Sequence, residues 1–342
     1  MTVLVCTRDR PVELDRCLAS VRCQDFDDFE VLVVDSASLG AEARDIAQRW
    51  GARYIREPLP GVSRARNRGV GASQAPLIAM IDDEAVADPS WLTQLLREFA
   101  DPQVMAVAGR IKAFEPSTDE ERICAVLGGA DGGLERQVLD RSCPQWFERA
   151  CFGGVGCGAN LAFRREAFAV WPGFCESLGA GARIVGGEEH YAFFGVVERG
   201  YSVVYSPTAV VSHPVPTSMQ ALQQRHLRYL SASVGYIALL FAQQPLYRRK
   251  VATYLVEALR GTPRTWRSGG AAPRVRLAPR WKSALAVLSG LRSFLLDRLD
   301  RSAPPLKPGG ARPAVSPAAS SNADPHEPVD RRRSDVATIK GA

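Results

Sequence analysis

The sequence predicts an α/β protein, with a mainly parallel, doubly wound sheet and a C-terminal helical extension. Two observations carry this. Through about residue 215, short apolar runs alternate with stretches in which apolar residues recur at helical spacing; the runs suit buried strands and are too short for helices. The runs also end on acids, with Asp35 after one and Asp82-Asp83-Glu84 after another. In open α/β sheets, ligands bind beyond the carboxyl ends of the strands, so polar clusters there mark a site. The chain has 342 residues, 46% of them hydrophobic, which is enough for one large α/β domain or a domain with an extension.

Val3–Cys6 reads as the first strand, and Thr7-Arg8-Asp9-Arg10-Pro11 as a polar, basic loop. A helix follows, with Leu14, Cys17, Leu18 and Val21 on one face. Val31–Val34 is the second strand, ending on Asp35; Ala41–Trp50 is a helix and Tyr54-Ile55 a short strand. Gly61–Ala72 is helical, with Ser63 as the expected N-cap and Arg64, Arg66, Asn67 and Arg68 on it. The apolar run Leu77–Ile81 leads into Asp82, Asp83 and Glu84. Asp88 or Ser90 is the expected N-cap of the helix Trp91–Phe99, and Val104–Ile111 is a further strand. Right-handed crossovers would then gather the strand-end loops on one rim.

That rim brings Thr7, Arg8, Asp35, the Arg64–Asn67 group and Asp82–Glu84 toward one crevice. Taken alone, the three acids read either as a solvated turn at a helix start or as hard oxygen ligands for Mg²⁺ or Mn²⁺. Each arginine alone reads as a solvated helix face. Together they suit a nucleoside diphosphate: guanidinium forks on phosphate oxygens, with a cation bridging the same phosphates. No GxxxxGK[ST] loop is present, and Gly154, Gly156 and Gly158 do not have dinucleotide-fingerprint spacing.

Pro116–Arg149 reads as an insertion shaping the acceptor side, with glycine pairs at 128–129 and 132–133. Ala159–Phe163 is a strand. Gly179–Gly187 reads as a glycine-rich loop able to close over substrate, delivering Glu188, Glu189 and His190 to the start of a helix, Tyr191–Arg199, with Gly200 as its stop. Those glutamates either favour the helix dipole or supply a general base. Val203–Tyr205 and Ala209–Val211 read as two strands, the second ending near His213, which is either a hydrogen-bonded loop histidine or a metal ligand.

With these residues in view, the chain resembles the family 2 glycosyltransferases, inverting enzymes of the GT-A fold (a Rossmann-like, doubly wound, mainly parallel sheet). Six stretches match in the family's order: VLVCTRDRP, EVLVVDSAS, GVSRARNRG, LIAMIDDEA, GANLAFRR and the segment GGEEHYAFFGVVERGYSVVYSPTAVVSH. The resemblance covers about residues 1–215. It implies that Thr7, Arg8 and Asp35 hold the base and ribose of a nucleotide-sugar, and that Arg64, Arg66 and Asn67 lie along its phosphates. Asp82 and Asp83 would also meet the donor. Asp82, Glu84 and His213 would hold Mg²⁺ or Mn²⁺. Glu189 would be the catalytic base, with Glu188 and His190 on the acceptor side.

Glu84 and Glu189 stand where the family carries Asp. The extra methylene moves a carboxylate by about a bond length, and displacements of ~1 Å matter in catalysis. The implied reaction is direct displacement at the anomeric carbon by an acceptor hydroxyl that Glu189 deprotonates, serving cell-surface polysaccharide, glycolipid or secondary-metabolite glycosylation. The acceptor would be a saccharide, a lipid-linked molecule or a small molecule. The alternatives are a nucleotide-sugar-binding relative with weak or lost turnover and a nucleotidylyltransferase, which would lack the GGEEHYAFF helix.

Beyond residue 215 the pattern fades. The reading divides the chain into a catalytic domain at 1–215, a basic helical extension at 216–301 and a disordered tail at 302–342. Leu246–Arg301 holds 13 Lys+Arg against 3 Asp+Glu, so the overall charge of +6 leaves about −4 for the rest. Met219–Ala242 and Trp281–Leu299 read as helices. Trp281, Leu285, Leu288, Leu291, Leu295 and Leu299 form a stripe, either packed on the core or a second copy, or facing an anionic membrane. The confined charge and the lack of interleaved aromatics argue against nucleic acid as a partner. Eight cysteines without zinc spacing, no signal peptide and no apolar run of ~20 residues favour a cytoplasmic protein, at most peripheral on the inner face of the membrane.

Overall fold

The first strand is β1 (Thr2–Thr7), whose Val3 and Val5 point into one apolar layer and Leu4 and Cys6 into the other. Further elements follow in order: α1 (Pro11–Val21), β2 (Glu30–Ser36), α2 (Glu42–Arg49), β3 (Arg53–Glu57), α3 (Val62–Ala72), β4 (Leu77–Asp82), β5 (Val86–Ala87) and α4 (Trp91–Glu98). Then come β6 (Val104–Ala113), α5 (Asp119–Gly128), β7 (Gln137–Leu139), α6 (Trp146–Phe152), β8 (Asn160–Arg164), α7 (Ala167–Val170), α8 (Glu188–Glu198) and β9 (Ser202–His213). Three helices end the described residues: α9 (Met219–Gln243), α10 (Arg248–Leu259) and α11 (Arg280–Asp300). This computed structural model describes residues 1–128, 131–260 and 277–300. The tail expected at 302–342 and the second residue of the 128–129 glycine pair lie outside the described residues.

The strands make one sheet in the order β3-β2-β1-β4-β8-β6-β9-β5, with β7 on β9. β3, β2, β1 and β4 are mutually parallel; β8 runs antiparallel between β4 and β6; β9 is parallel to β6. The sheet is therefore largely parallel, with β5, β7 and β8 reversed. Leu4, Leu32, Ile78 and Met80 face a layer containing Trp171, Phe193 and Phe194; Val3, Val5, Val33 and Ile81 face Leu14, Leu18, Trp91 and Leu95. Each fully buried side chain of this size is worth roughly 1.5–3 kcal/mol. The periodicity read for α1 holds, since Leu14, Cys17, Leu18 and Val21 are all buried.

The structure differs from the sequence reading at several points. Gly61, at φ +142°, is the N-cap of α3, and Ser63 instead donates from Oγ to Leu178 O at 2.7 Å. Ser90, one of the two expected positions, is the N-cap residue of α4, but its side chain makes no capping hydrogen bond and donates to Asp88 instead. β5 and β7 are two and three residues long, too short to leave a periodic signal. The two strands expected at 203–211 are one continuous β9, because Gly109–Arg110 of β6 faces Ser206 and then Val210 across a bulge. Asn160, fully buried, seals it: its amide donates to Arg110 O (3.0 Å) and Ala209 O (2.9 Å), while its Oδ1 accepts from Trp91 Nε1 (2.8 Å).

The Gly179–Gly187 loop is pinned to α3. Val62 N–H donates to Ala180 O at 2.8 Å, and Gly179 N–H to Ile184 O at 2.9 Å. Gly187, at φ +85°, starts α8 where a Cβ would strike the Tyr236 ring. Ser218 caps α9 by accepting from Ala221 N–H at 3.2 Å. α11 packs on α9. Its Gly290 faces Ser231 O and Val234 at a separation that leaves no room for a Cβ.

Candidate active site

The carboxyl ends of β1 and β4 supply the first half of the site. Thr7, buried at the end of β1, donates from Oγ1 to Asp83 Oδ2 at 2.8 Å. Arg10 reaches Asp83 Oδ1 at 3.3 Å and Glu84 Oε2 at 2.7 Å. Burial pushes the Asp83 carboxyl up to about 6, against the opposing pull of Thr7 and Arg10.

α3 and α8 supply the second half, joined through Arg66. Its buried guanidinium donates to Glu188 Oε1 at 3.0 Å, Gly158 O at 2.9 Å and Asp82 Oδ1 at 3.4 Å, and lies 5.4 Å from the Phe174 ring centroid. Burial and the charge of neighbouring Glu189 push the Glu188 carboxyl up to about 7 despite Arg66. Glu189, the next residue, has a buried Oε2 with no hydrogen-bond partner among the described residues.

β9 delivers the third part. His213 Nε2 lies 3.2 Å from Glu84 Oε1 and 4.0 Å from Asp82 Oδ2. Burial would lower the imidazole, but its hydrogen bond with Glu84 and the charge of Asp82 raise it above the ordinary histidine value. The same bond holds Glu84 below the ordinary glutamate value.

Two cavities, of about 430 and 540 Å³, meet here. The first is lined by Thr7, Arg8, Arg10, Ser36, Arg66 and Asp83, the second by His190, His213, Arg225, His226 and Tyr236; Asp82, Glu84, Val185, Glu189 and Tyr229 border both. Asp35 is fully buried just behind the first cavity, accepting from Ser38 N–H (2.8 Å), Tyr54 (2.7 Å) and Arg56 (3.3 Å). Burial would raise its carboxyl, but those hydrogen bonds hold it below the ordinary value. Arg64 pairs with Glu176 at 2.7 Å, and Asn67 exchanges hydrogen bonds with the Phe174 backbone at 2.8 and 2.9 Å. Neither lines the cavities; both bind the 173–176 segment to α3.

Residues 2–171 match the profile of glycosyl transferase family 2. The chain belongs to that family. Among relatives, this glycosyltransferase is 28% identical to the succinoglycan biosynthesis protein ExoM of Rhizobium meliloti over 226 residues, 64% of this chain and 68% of ExoM. It is 25% identical to the glucosyl-dolichyl phosphate glucuronosyltransferase of Haloferax volcanii over 228 residues, 62% of this chain and 68% of that protein. Among solved structures, it is similar to the mannosyltransferase PcManGT from Pyrobaculum calidifontis in complex with GDP-Man and Mn²⁺. That likeness has a TM-score of 0.54 at 17% identity, over 87% of this chain and 74% of the other. It shows the fold, the GT-A fold of glycosyltransferases.

Sequence reasoning did not single out Arg10, Tyr229, Arg225 and His226, which line the two cavities. Arg10 was legible in part, as a cation beside Pro11 in a strand-end loop. The other three lie on α9, outside the matched segment, and no local motif marks them.

The Asp83 environment gives a pH prediction. Its carboxyl is pushed up to about 6, above the ordinary value of 3.8, so the native state keeps a proton that the unfolded chain gives up. The associated stability is fully present below pH ~4 and is lost as pH rises through about 6, a swing on the order of 2–3 kcal/mol. Urea unfolding at pH 4 to 7 should show the wild-type slope flattened in Asp83→Asn. Parallel curves would contradict it.

Proposed function

We propose that this glycosyltransferase moves a sugar from a nucleotide-sugar to an acceptor hydroxyl, with inversion, where the two cavities meet. The observation that carries the reading is Glu189, which borders both cavities and whose buried Oε2 has no hydrogen-bond partner among the described residues. A carboxylate oxygen with no internal partner is free to take a proton. In this reading the donor occupies the cavity lined by Thr7, Arg8, Arg10 and Asp83, and the acceptor the one beside His190. Asp35 acts from behind by fixing the Ser36–Ser38 turn and Arg56. Arg66 positions Asp82 and Glu188, while Arg64 and Asn67 hold the loop behind the phosphate side.

Glu189 removes the acceptor's hydroxyl proton as that oxygen bonds to the anomeric carbon. The bond from that carbon to the diphosphate oxygen breaks, and the nucleoside diphosphate leaves with the electron pair. Arg10 faces the acids at the donor end and is placed to turn toward the departing negative charge.

Asp82, Glu84 and His213 would hold a divalent cation. An imidazole nitrogen within 4.0 Å of two carboxylates has the donor chemistry for Mg²⁺ or Mn²⁺. Among the described residues no group of three or more His, Cys, Asp or Glu side chains is arranged to hold a metal ion, so in this reading substrate phosphates and water would supply the rest of the shell. When bound, it would neutralise charge on the leaving diphosphate as a Lewis acid.

Work on cell-surface glycans, with a saccharide or lipid-linked acceptor, is supported by the names of the ExoM and Haloferax relatives. A cytoplasmic setting is supported by eight free cysteines. The test is nucleoside diphosphate release from UDP-, GDP- and dTDP-sugars, with and without Mn²⁺. Release should require the cation, and Glu84→Ala and His213→Ala should raise the Mn²⁺ needed for half-maximal rate by about tenfold or more. Failure of every donor to bind, or turnover indifferent to a chelator, would overturn the reading.

A further inference from the structure

α11 is packed the wrong way round for an ordinary amphipathic helix. The side it turns inward carries Ala286, Gly290 and Asp297, all buried, with Phe294 partly buried against the core. The opposite side carries Trp281, Leu285, Leu288, Leu295 and Leu299, which are 62, 57, 61, 60 and 77% exposed. A helix normally turns its leucines toward the core and its polar residues outward. Of the alternatives the sequence leaves open for this stripe, packing on the core is therefore absent.

We propose that this stripe is a docking surface for an anionic bilayer. The charge on the helix selects that occupant. Arg280, Lys282, Arg292 and Arg298 flank or interrupt the stripe; Arg292, three turns on from Trp281, lies within it and is exposed. Of the two acids, Asp297 is buried and Asp300 pairs with Arg183 at 2.7 Å. An apolar band edged by uncompensated cations is the pattern of helices that lie in the lipid interface, where long basic side chains reach the headgroups. A second copy of this helix would bring the same cations face to face. Residues 301–342 hold seven Lys+Arg against four Asp+Glu, so that segment does not complement the surface either.

The surface connects to the catalytic site. Lys282 and Leu285 of α11, with Arg183 and Arg228, line a groove of about 480 Å³ that also includes Val185. Val185 borders both catalytic cavities. Docking through α11 would thus set one end of this groove at the membrane and leave the other at Glu189. Among the described residues no helix is long and apolar enough to cross a membrane, so the contact is peripheral.

Flotation of the full chain with vesicles tests this. Phosphatidylglycerol-containing vesicles should carry the protein up at 0.1 M salt, and pure phosphatidylcholine vesicles should carry at least about tenfold less. Leu288→Glu with Leu295→Glu should abolish flotation while leaving the melting temperature and soluble-donor turnover unchanged, since both positions face outward. Arg292→Glu should weaken it, as should 0.5 M salt. Equal flotation on both vesicles, flotation unaffected by the leucine substitutions, or self-association that those substitutions abolish would each overturn the proposal. Because donor turnover is read separately, failure here is distinct from failure of the catalytic reading.

Discussion

Glu189→Gln is expected to lower the transfer rate by about 10²–10⁴-fold, the usual contribution of a positioned general base. The substitution keeps shape and volume and removes only basicity. Donor KM should stay within about threefold, and the melting temperature should not fall, because Glu189 Oε2 makes no hydrogen bond that the fold would lose and its charge repels Glu188. Glu189→Asp shortens the reach by about one bond length and should cost about tenfold to a hundredfold in kcat. Steady-state transfer kinetics, with donor binding measured in parallel by calorimetry, separate the terms. A glutamine variant keeping more than about a tenth of wild-type turnover would remove Glu189 from the role of base. Loss of donor binding along with rate would recast it as part of the donor cavity.

Arg66→Ala should be the most damaging single change to stability. The side chain is buried, and its removal leaves Glu188 without its partner at 3.0 Å and Gly158 O without its donor at 2.9 Å. Breaking a buried pair from one side costs about 3–5 kcal/mol, a fall of roughly 6–12 °C for a domain of this size. Arg66→Lys keeps the charge without the fork and should fall between. The decisive arm is the double variant Arg66→Ala with Glu188→Gln. If the cost comes from a stranded carboxylate, neutralising it should restore part of the stability, and calorimetric melting of the four-member cycle reads that directly. An additive double variant would assign the loss to packing against Phe174 instead.

The parallel half of the fold was legible because its strands are buried on both faces, so Val3–Cys6, Val31–Val34 and Leu77–Ile81 appear as uninterrupted apolar runs. The rim at Thr7 and Asp82–Glu84 followed from strand direction alone. The reversed half was not legible. β8 enters antiparallel between β4 and β6, a choice set by long-range pairing that no local pattern encodes. Ser63 has the chemistry of a cap, yet Gly61 already supplies the helix entry, and the hydroxyl serves Leu178 across 115 residues. Arg64, Arg66 and Asn67 look alike in sequence. Only the position of each on the α3 surface decides that Arg66 meets the acids while its neighbours meet Glu176 and Phe174.

The bulge in β9 has a consequence for insertions and deletions. Between the pairs Gly109–Ser206 and Arg110–Val210, β9 carries three residues that β6 does not match. Side chains on a strand alternate faces with a period of two. Losing or gaining one residue in that stretch, with the downstream ladder re-paired by one step, would turn every later side chain of β9 to the opposite face. His213 would then leave Glu84 and Asp82 and enter the layer opposite. The length of the segment from 206 to 210 therefore matters in a way its composition does not: substitutions there change packing by degrees, whereas a single-residue change in length that shifts the downstream ladder by one step disconnects the histidine from the acids.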